Sequence, residues 1–395
     1  MNLKQGLFNK NFILLNLVLF LAYCNITIFF QFPFYLQYKL QISPEWIGII
    51  VSIFSLTGLI LRPFISAVII PSNARKVICI SAICLIISLL LYSFAFTIKN
   101  LLIIRVIHGI AYVVFGTAIF TEIVASVPAN QSGQAFSIIG IITLLPFAVM
   151  PPLLKPLTSE YSFVSVLTFF GILLFLTIVI IPFLDKFKNS PNFNKKDMKI
   201  SKKELMANIT DGNLIILFTI SLLLFTSFSA TFFYIKGYSI KNHIPNPGWF
   251  FTVATAMEIG VRIFLGKFFD KTEKIPLLGI SMVIMAIAFF LLSFKCNITL
   301  FLITAAMFGF GMGISMPLIN SLIFDFSSAK LRSFNSNLGI EMFQGGFFIG
   351  SLMGGIIISY YSYKAIFLLS GFLSVFSILL IIFLYLNKRK EVKCC

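Results

Sequence analysis

Residues 185–212 read DKFKNSPNFNKKDMKISKKELMANITDG, the longest polar segment of the chain. Seven lysines fall in it, and its Ser190–Pro191 and Asp211–Gly212 pairs are breakers of regular structure. Six apolar runs lie on each side. They cover roughly 11–36, 46–69, 77–97, 100–127, 132–154 and 161–184, then 213–236, 248–269, 275–294, 298–325, 331–358 and 364–386. Each is about the 20 residues needed to cross a bilayer as a helix. The expected fold is an all-α membrane protein of twelve transmembrane helices in two six-helix bundles. The expected boundaries are 1–184, a linker over 185–212, and 213–395 ending in a short basic tail.

Composition agrees with that reading. Of 395 residues, 59% are hydrophobic and 11% charged, and mean hydropathy is +1.01. A soluble domain carries about 25% charged residues. The balance excludes a soluble enzyme, a coiled coil and a disordered chain. An outer-membrane barrel is excluded as well, because its strands alternate and never stay apolar for twenty residues. Residues 1–10 are basic and precede an apolar run, as in a leader, but no small-residue cleavage site follows, so the run is read as the first span.

The net charge of +17 resides in the loops. With the N-terminus inside, cytoplasmic segments carry 20 Lys and Arg and external segments 7. This bias predicts that both termini and the linker are cytoplasmic. Trp46 and Trp249, the two tryptophans, each open an even-numbered span at the expected outer interface.

The halves repeat. Arg62-Pro63-Phe64-Ile65-Ser66 aligns with Arg262-Ile263-Phe264-Leu265-Gly266 at an offset of 200, and Gly109 aligns with Gly309. Two similar bundles place the expected substrate site between them, near the bilayer midplane.

Six plus six spans, a basic central linker and this repeat resemble the major facilitator superfamily. Its loop motif, Gly-x-x-x-Asp followed by basic residues, is matched by Gly266-Lys267-Phe268-Phe269-Asp270-Lys271. In the first half Ser66 and Ile70 replace the glycine and aspartate, while Arg75-Lys76 remain. The fourth span, IIRVIHGIAYVVFGTA, resembles the Arg-x-x-x-Gly motif through Arg105 and Gly109, an arginine the family associates with proton coupling. The fifth-span antiporter motif is partly matched: Pro146 fits, with Leu145 where glycine is expected. Within the superfamily the chain looks most like the drug:proton antiporter branch. LRPFISAVIIPSNARK and RVIHGIAYVVFGTAIFTEIVASVPANQSGQAFSIIG also resemble exporters of staphylopine-type opine metallophores, which carry a carboxylate-rich, histidine-derived chelator out of the cell.

Ionisable groups within spans cost at least ~2.5–3.5 kcal/mol each on insertion scales, so they are the functional pointers. Arg105, His108 and Tyr112 share one face of span four. Read functionally, they form an anion-binding, proton-responsive strip, with the forked arginine suited to carboxylates. Read structurally, Arg105 braces a neighbouring helix carbonyl and His108 is a packed histidine. Span eight carries Thr255, Glu258 and Arg262; Glu258 and Arg262 are i,i+4 and pair along the helix. Glu258 is then either half of a structural pair or a proton carrier. Span eleven carries Asn337, Glu341 and Gln344 on one face. Glu341 is a second proton carrier or a helix-bridging hydrogen bonder. Span one carries Tyr23, Thr27, Gln31 and Tyr35 at i+4 steps, lining a pore or bonding between helices. Arg62, Glu122, Arg262, Gly266, Asp270 and Asp325 are read as gate, loop or structural elements.

These readings assign substrate contact to Arg105, His108, Tyr112, Gln31, Tyr35 and Asn337, and proton coupling to Glu258, Glu341 and His108. No nucleotide-binding loop, catalytic constellation or metal-ligand spacing is present in the sequence, so neither cofactor nor resident metal is expected. The expected function is proton-coupled export of a small anionic or zwitterionic metabolite, such as an opine metallophore, across a bacterial cytoplasmic membrane. Its partners are the substrate, protons and the bilayer, with no nucleic acid, and the chain is expected to act as a monomer. Efflux of lipophilic cationic drugs is the alternative within transport; a membrane sensor or receptor that binds without turnover is the alternative outside it.

Overall fold

The computed structural model describes residues 8–127, 132–185, 208, 210–269, 272–294, 296–328 and 331–394. Among them are twelve long helices. In the first half these are α1 (Lys10–Tyr38), α2 (Pro44–Val68), α3 (Ala74–Phe94), α4 (Ile98–Ser126), α5 (Ser132–Glu160) and α6 (Phe163–Phe183). The second half contributes α7 (Gly212–Lys241), α8 (Trp249–Phe269), α9 (Lys274–Ser293), α10 (Ile298–Phe326), α11 (Arg332–Tyr360) and α12 (Tyr363–Cys394). Eleven are long and apolar enough over the described residues to cross a membrane. The other, α8, has 21 residues and carries Glu258 and Arg262. The chain is a multi-pass membrane protein; every expected span begins within three residues of its helix, and α5, α7 and α12 run five to eight residues past the expected ends.

Local chemistry explains where helices begin. Asn9 caps α1 by accepting from the Phe12 amide, Thr97 caps α4, Ser162 caps α6 and Asn297 caps α10. Asp211 accepts from two amides at the start of α7. Each satisfies first-turn donors that lipid offers no way to hydrate. Pro33 disturbs α1: a 3-10 turn over Phe29–Gln31 precedes it. Proline has no amide to continue the ladder, and the helix tightens there.

The chain forms two compact units, 1–192 and 193–395. In the first, α4 packs on α2, α3 and α1, and α1 on α5. In the second, α10 packs on α8 and α9, and α7 on α11. These are the same neighbours six helices on, except that α9 and α12 pack far more extensively than α3 and α6. The repeat extends to single atoms. A Cβ on Gly109 would lie 3.1 Å from the Phe54 carbonyl oxygen, and one on Gly309 would collide with the backbone of Ala254. Both pairs are related by the offset of 200 read from the sequence. Gly313 continues the contact one turn on, against Val261 and the Glu258 carbonyl. On α11, Gly346, Gly350 and Gly354 let α7 approach just as closely. Small residues at four-residue spacing are how helices pack where hydrophobicity cannot drive association. Ser229 Oγ and Tyr234 Oη of α7 then donate to the α11 carbonyls of Phe347 and Ser351. Large apolar side chains such as Ile80, Phe94, Phe264 and Phe372 point outward, as a lipid-facing surface requires.

Candidate functional site

In the first unit one buried polar cluster centres on Arg105, which is 2% exposed. Its guanidinium bridges α4 to α2: Nε donates to the Ile50 carbonyl at 3.1 Å and Nη2 to that of Val51 at 2.9 Å. Nη1 is 3.5 Å from Tyr92 Oη of α3. Three rings enclose it, with centroids 4.8 Å (Phe29), 5.3 Å (Phe32) and 4.7 Å (Phe54) from its central carbon. Such cation–π contacts are strongest when desolvated. Carbonyl dipoles and ring faces thus stabilise this charge where water is excluded.

His108 lies one turn along and is also 2% exposed. Its Nδ1 is 3.3 Å from Tyr92 Oη, and its ring lies against Phe29 and Phe54. The Tyr112 ring lies tilted against Phe54, centroids 5.3 Å apart. The expected Arg105–His108–Tyr112 strip is therefore contiguous, with Phe54 touching all three. In this conformation Arg105 is engaged as a brace between helices. Sequence reasoning passed over Tyr92, Phe29, Phe32 and Phe54. Pro33, four residues after Phe29 and one after Phe32, was the available signal, and it marks the local bend of α1 rather than these contacts.

Along α1, Thr27 bonds back to the Tyr23 carbonyl, Gln31 is buried, and Tyr35 lies on the Phe163 ring. Half-buried Arg62 of α2 lies within electrostatic reach of Tyr23 and Tyr112, so it joins this polar group. Glu122 does not: it lies fully buried at the end where α1 begins and α4 finishes. There Arg75 Nε donates to Glu122 Oε1, and its other nitrogens donate to the carbonyls of Leu184 and Asp185. Asn11 of α1 pairs with the backbone of Asp185 in both directions. Four helices are tied at that end.

In the second unit Arg262 Nη2 donates to Glu258 Oε1 at 2.5 Å along α8, the i,i+4 pair expected from the sequence. Met316 Sδ of α10 lies 3.9 Å from the same nitrogen. Thr255, one turn away, is buried. Lys274 bonds Asp325 and Ser321 at 2.6 Å each, so that α9 and α10 are tied as α3 and α4 are by Arg75 and Glu122. Glu341 and Gln344 of α11 are buried, whereas Asn337, one turn nearer the helix start, is exposed. The buried asparagine on that helix is Asn335, which exchanges amide bonds with Asn208 and donates to Ser327 Oγ. Gly266 lies in the last turn of α8, and Asp270 falls outside the described residues.

An apolar cleft of about 270 Å³ opens on α1 and α5, lined by Phe8, Phe12, Ile13, Leu17, Phe20, Ile138 and Ile142, with Asn16 the polar residue.

Comparison with known proteins follows the same lines. The family model of the Major Facilitator Superfamily matches residues 15–338, and again 246–394. A search of curated proteins gave no match. Among solved structures, a mutant form of the nucleoside transporter NupG is similar with a TM-score of 0.78, at 14% identity over 95% of this chain and 100% of that one. Another NupG structure gives 0.77 at 14% identity, over 95% and 99%. At that identity the likeness establishes the fold.

Proposed function

The chain belongs to the Major Facilitator Superfamily, and on that premise we propose that it is a proton-coupled secondary transporter exporting a small anionic or zwitterionic metabolite. The observation that carries the reading is the sorting of buried ionisable groups. Apart from Glu122, which Arg75 ties at the helix ends, the first unit buries Arg105 and His108 and half-buries Arg62; the second buries Glu258, paired with half-buried Arg262, and Glu341. Intramembrane ionisable residues are expensive and mark substrate and proton pathways. An excess of basic groups in the first of these clusters and of carboxyls in the second suits a substrate bearing carboxylates and an amine, which is the character of an opine metallophore. A proton driven inward gains about 2.3 kcal/mol per 100 mV of membrane potential, and His108, Glu258 and Glu341 are the groups proposed to carry it. In this reading Arg62, expected from the sequence to be a gate element, faces substrate with Tyr112, because Arg105, the expected substrate contact, is engaged by the α2 carbonyls and holds the strip in register. Both termini are assigned to the cytoplasm of a bacterium.

A second reading is efflux of lipophilic cations, favoured by the apolar cleft on α1 and α5. Inside-out vesicles separate the two. Labelled opine metallophore, a labelled nucleoside and a lipophilic cationic dye are offered in turn. Accumulation of the metallophore, lost when Arg62 is changed to Ala, supports the first reading. Accumulation of the dye alone replaces it with the second.

A further inference from the structure

Tyr92 Oη sits between two buried nitrogens, 3.5 Å from Arg105 Nη1 and 3.3 Å from His108 Nδ1. A guanidinium has only donors and keeps its charge. The first bond therefore has one direction: Arg105 donates and Tyr92 accepts. The hydroxyl still has its own hydrogen to place. Around it stand the rings of Phe29 and Phe32, which offer no lone pair of that kind. His108 Nδ1 does. Donation thus runs from Arg105 to Tyr92 to Nδ1 and leaves Nε2 bearing the imidazole proton.

We propose that Tyr92 is the positioning residue for proton handling at His108: it holds the imidazole as the neutral Nε2–H tautomer, and a second proton enters at Nδ1 only when the Tyr92 hydroxyl leaves that nitrogen. This deepens the proton-coupled reading and rests on it. The step is a proton transfer alone. Nδ1 gains an N–H bond and a positive charge from a hydronium ion, which becomes water, and returns the proton to water as hydronium on release.

The backbone makes such a movement local. Tyr92 lies in the 3-10 turn Leu91–Phe94 that closes α3. Phe29, whose ring centroid is 5.1 Å from the imidazole, opens the 3-10 turn Phe29–Gln31 inside α1. Two 3-10 segments therefore meet on one histidine, and the one inside α1 is of the mid-helix kind that often marks a hinge. The groups against His108 are Phe29 of α1, Phe54 of α2 and Tyr92 of α3, with Arg105 one turn back on α4 itself. Arg105 is the charge that acts on it among the described residues. A proton at Nδ1 puts a second positive charge beside that guanidinium, which favours separating the two groups.

The chain has two histidines, His108 and His243. His243→Asn protein, labelled with ¹⁵N-histidine and held in lipid nanodiscs, thus reports His108 alone by nitrogen NMR across a pH series. The expected spectrum near neutral pH is a single Nε2–H tautomer with Nδ1 shifted as a hydrogen-bond acceptor. In Tyr92→Phe that shift is lost, both tautomers appear and the titration midpoint moves. An Nδ1–H tautomer, or a mixture, in the protein that keeps Tyr92 overturns the proposal without recourse to the variant. So does a Tyr92→Phe spectrum that matches its parent. The vesicle assay reads transport alone, so its failure with the expected spectrum intact overturns the transport reading and leaves the Tyr92 assignment standing.

Discussion

Arg105 of α4 donates to the Val51 carbonyl of α2 at 2.9 Å, deep in the first unit. The bond is one arm of a fork whose other arm reaches Ile50, so one side chain fixes the register of two helices. Arg105→Lys keeps the charge and loses the fork. It is expected to cost about 1–2 kcal/mol, and Arg105→Ala, which also leaves a cavity, about 2–4 kcal/mol. Thermal unfolding of the purified variants in detergent checks the order. Transport falls in both, and equal stability of wild type and Arg105→Ala would remove the brace from the account.

Gly309 and Gly260 make a matched pair for testing the helix contacts. A Cβ at Gly309 meets the Ala254 backbone, and one at Gly260 meets nothing within 4 Å. Gly309→Ala should therefore separate α8 from α10 and cost about 1–3 kcal/mol, the range for overpacking. Gly260→Ala should leave stability unchanged or raise it by up to about 1 kcal/mol through helix propensity. The melting temperatures of the two variants decide the matter.

The two end ties differ in burial and should differ in strength. Glu122 is 0% exposed in its side chain, and Arg75 also serves two carbonyls. Asp325 is 47% exposed, so water screens its bond to Lys274. Breaking the first by Glu122→Ala is expected to cost about 3–5 kcal/mol, and breaking the second by Asp325→Ala no more than about 1 kcal/mol. Urea titration of helix content in the two variants measures the contrast, and equal losses would contradict it.

The fold was legible because lipid leaves few alternatives: twenty apolar residues in a row become a helix, and Pro, Asn and Asp mark the ends. The internal repeat was legible in Gly109 and Gly309 because close backbone approach admits no larger residue. The i,i+4 pair of Glu258 and Arg262 was legible because one helix contains both. Contacts between helices were not. Nothing in the local pattern of α3 says that Tyr92 meets Arg105 and His108, since that depends on how three helices rotate about their axes. Asn335 and Asn337 show the same limit: both are polar residues near the start of α11, and only packing decides that Asn335 is enclosed and Asn337 exposed.

Coupling to protons is the central claim, and a lumenal pH reading tests it most directly. Inside-out vesicles are loaded with a pH-sensitive dye, the lumen is made acid, and opine metallophore is added outside. Export coupled to inward protons predicts that the lumen turns alkaline as substrate enters, and that Glu258→Gln or Glu341→Gln slows the change about tenfold or more, the loss expected for a proton-transfer group. Substrate that accumulates at the same rate with the pH gradient and membrane potential collapsed, leaving lumenal pH unmoved, would contradict the account.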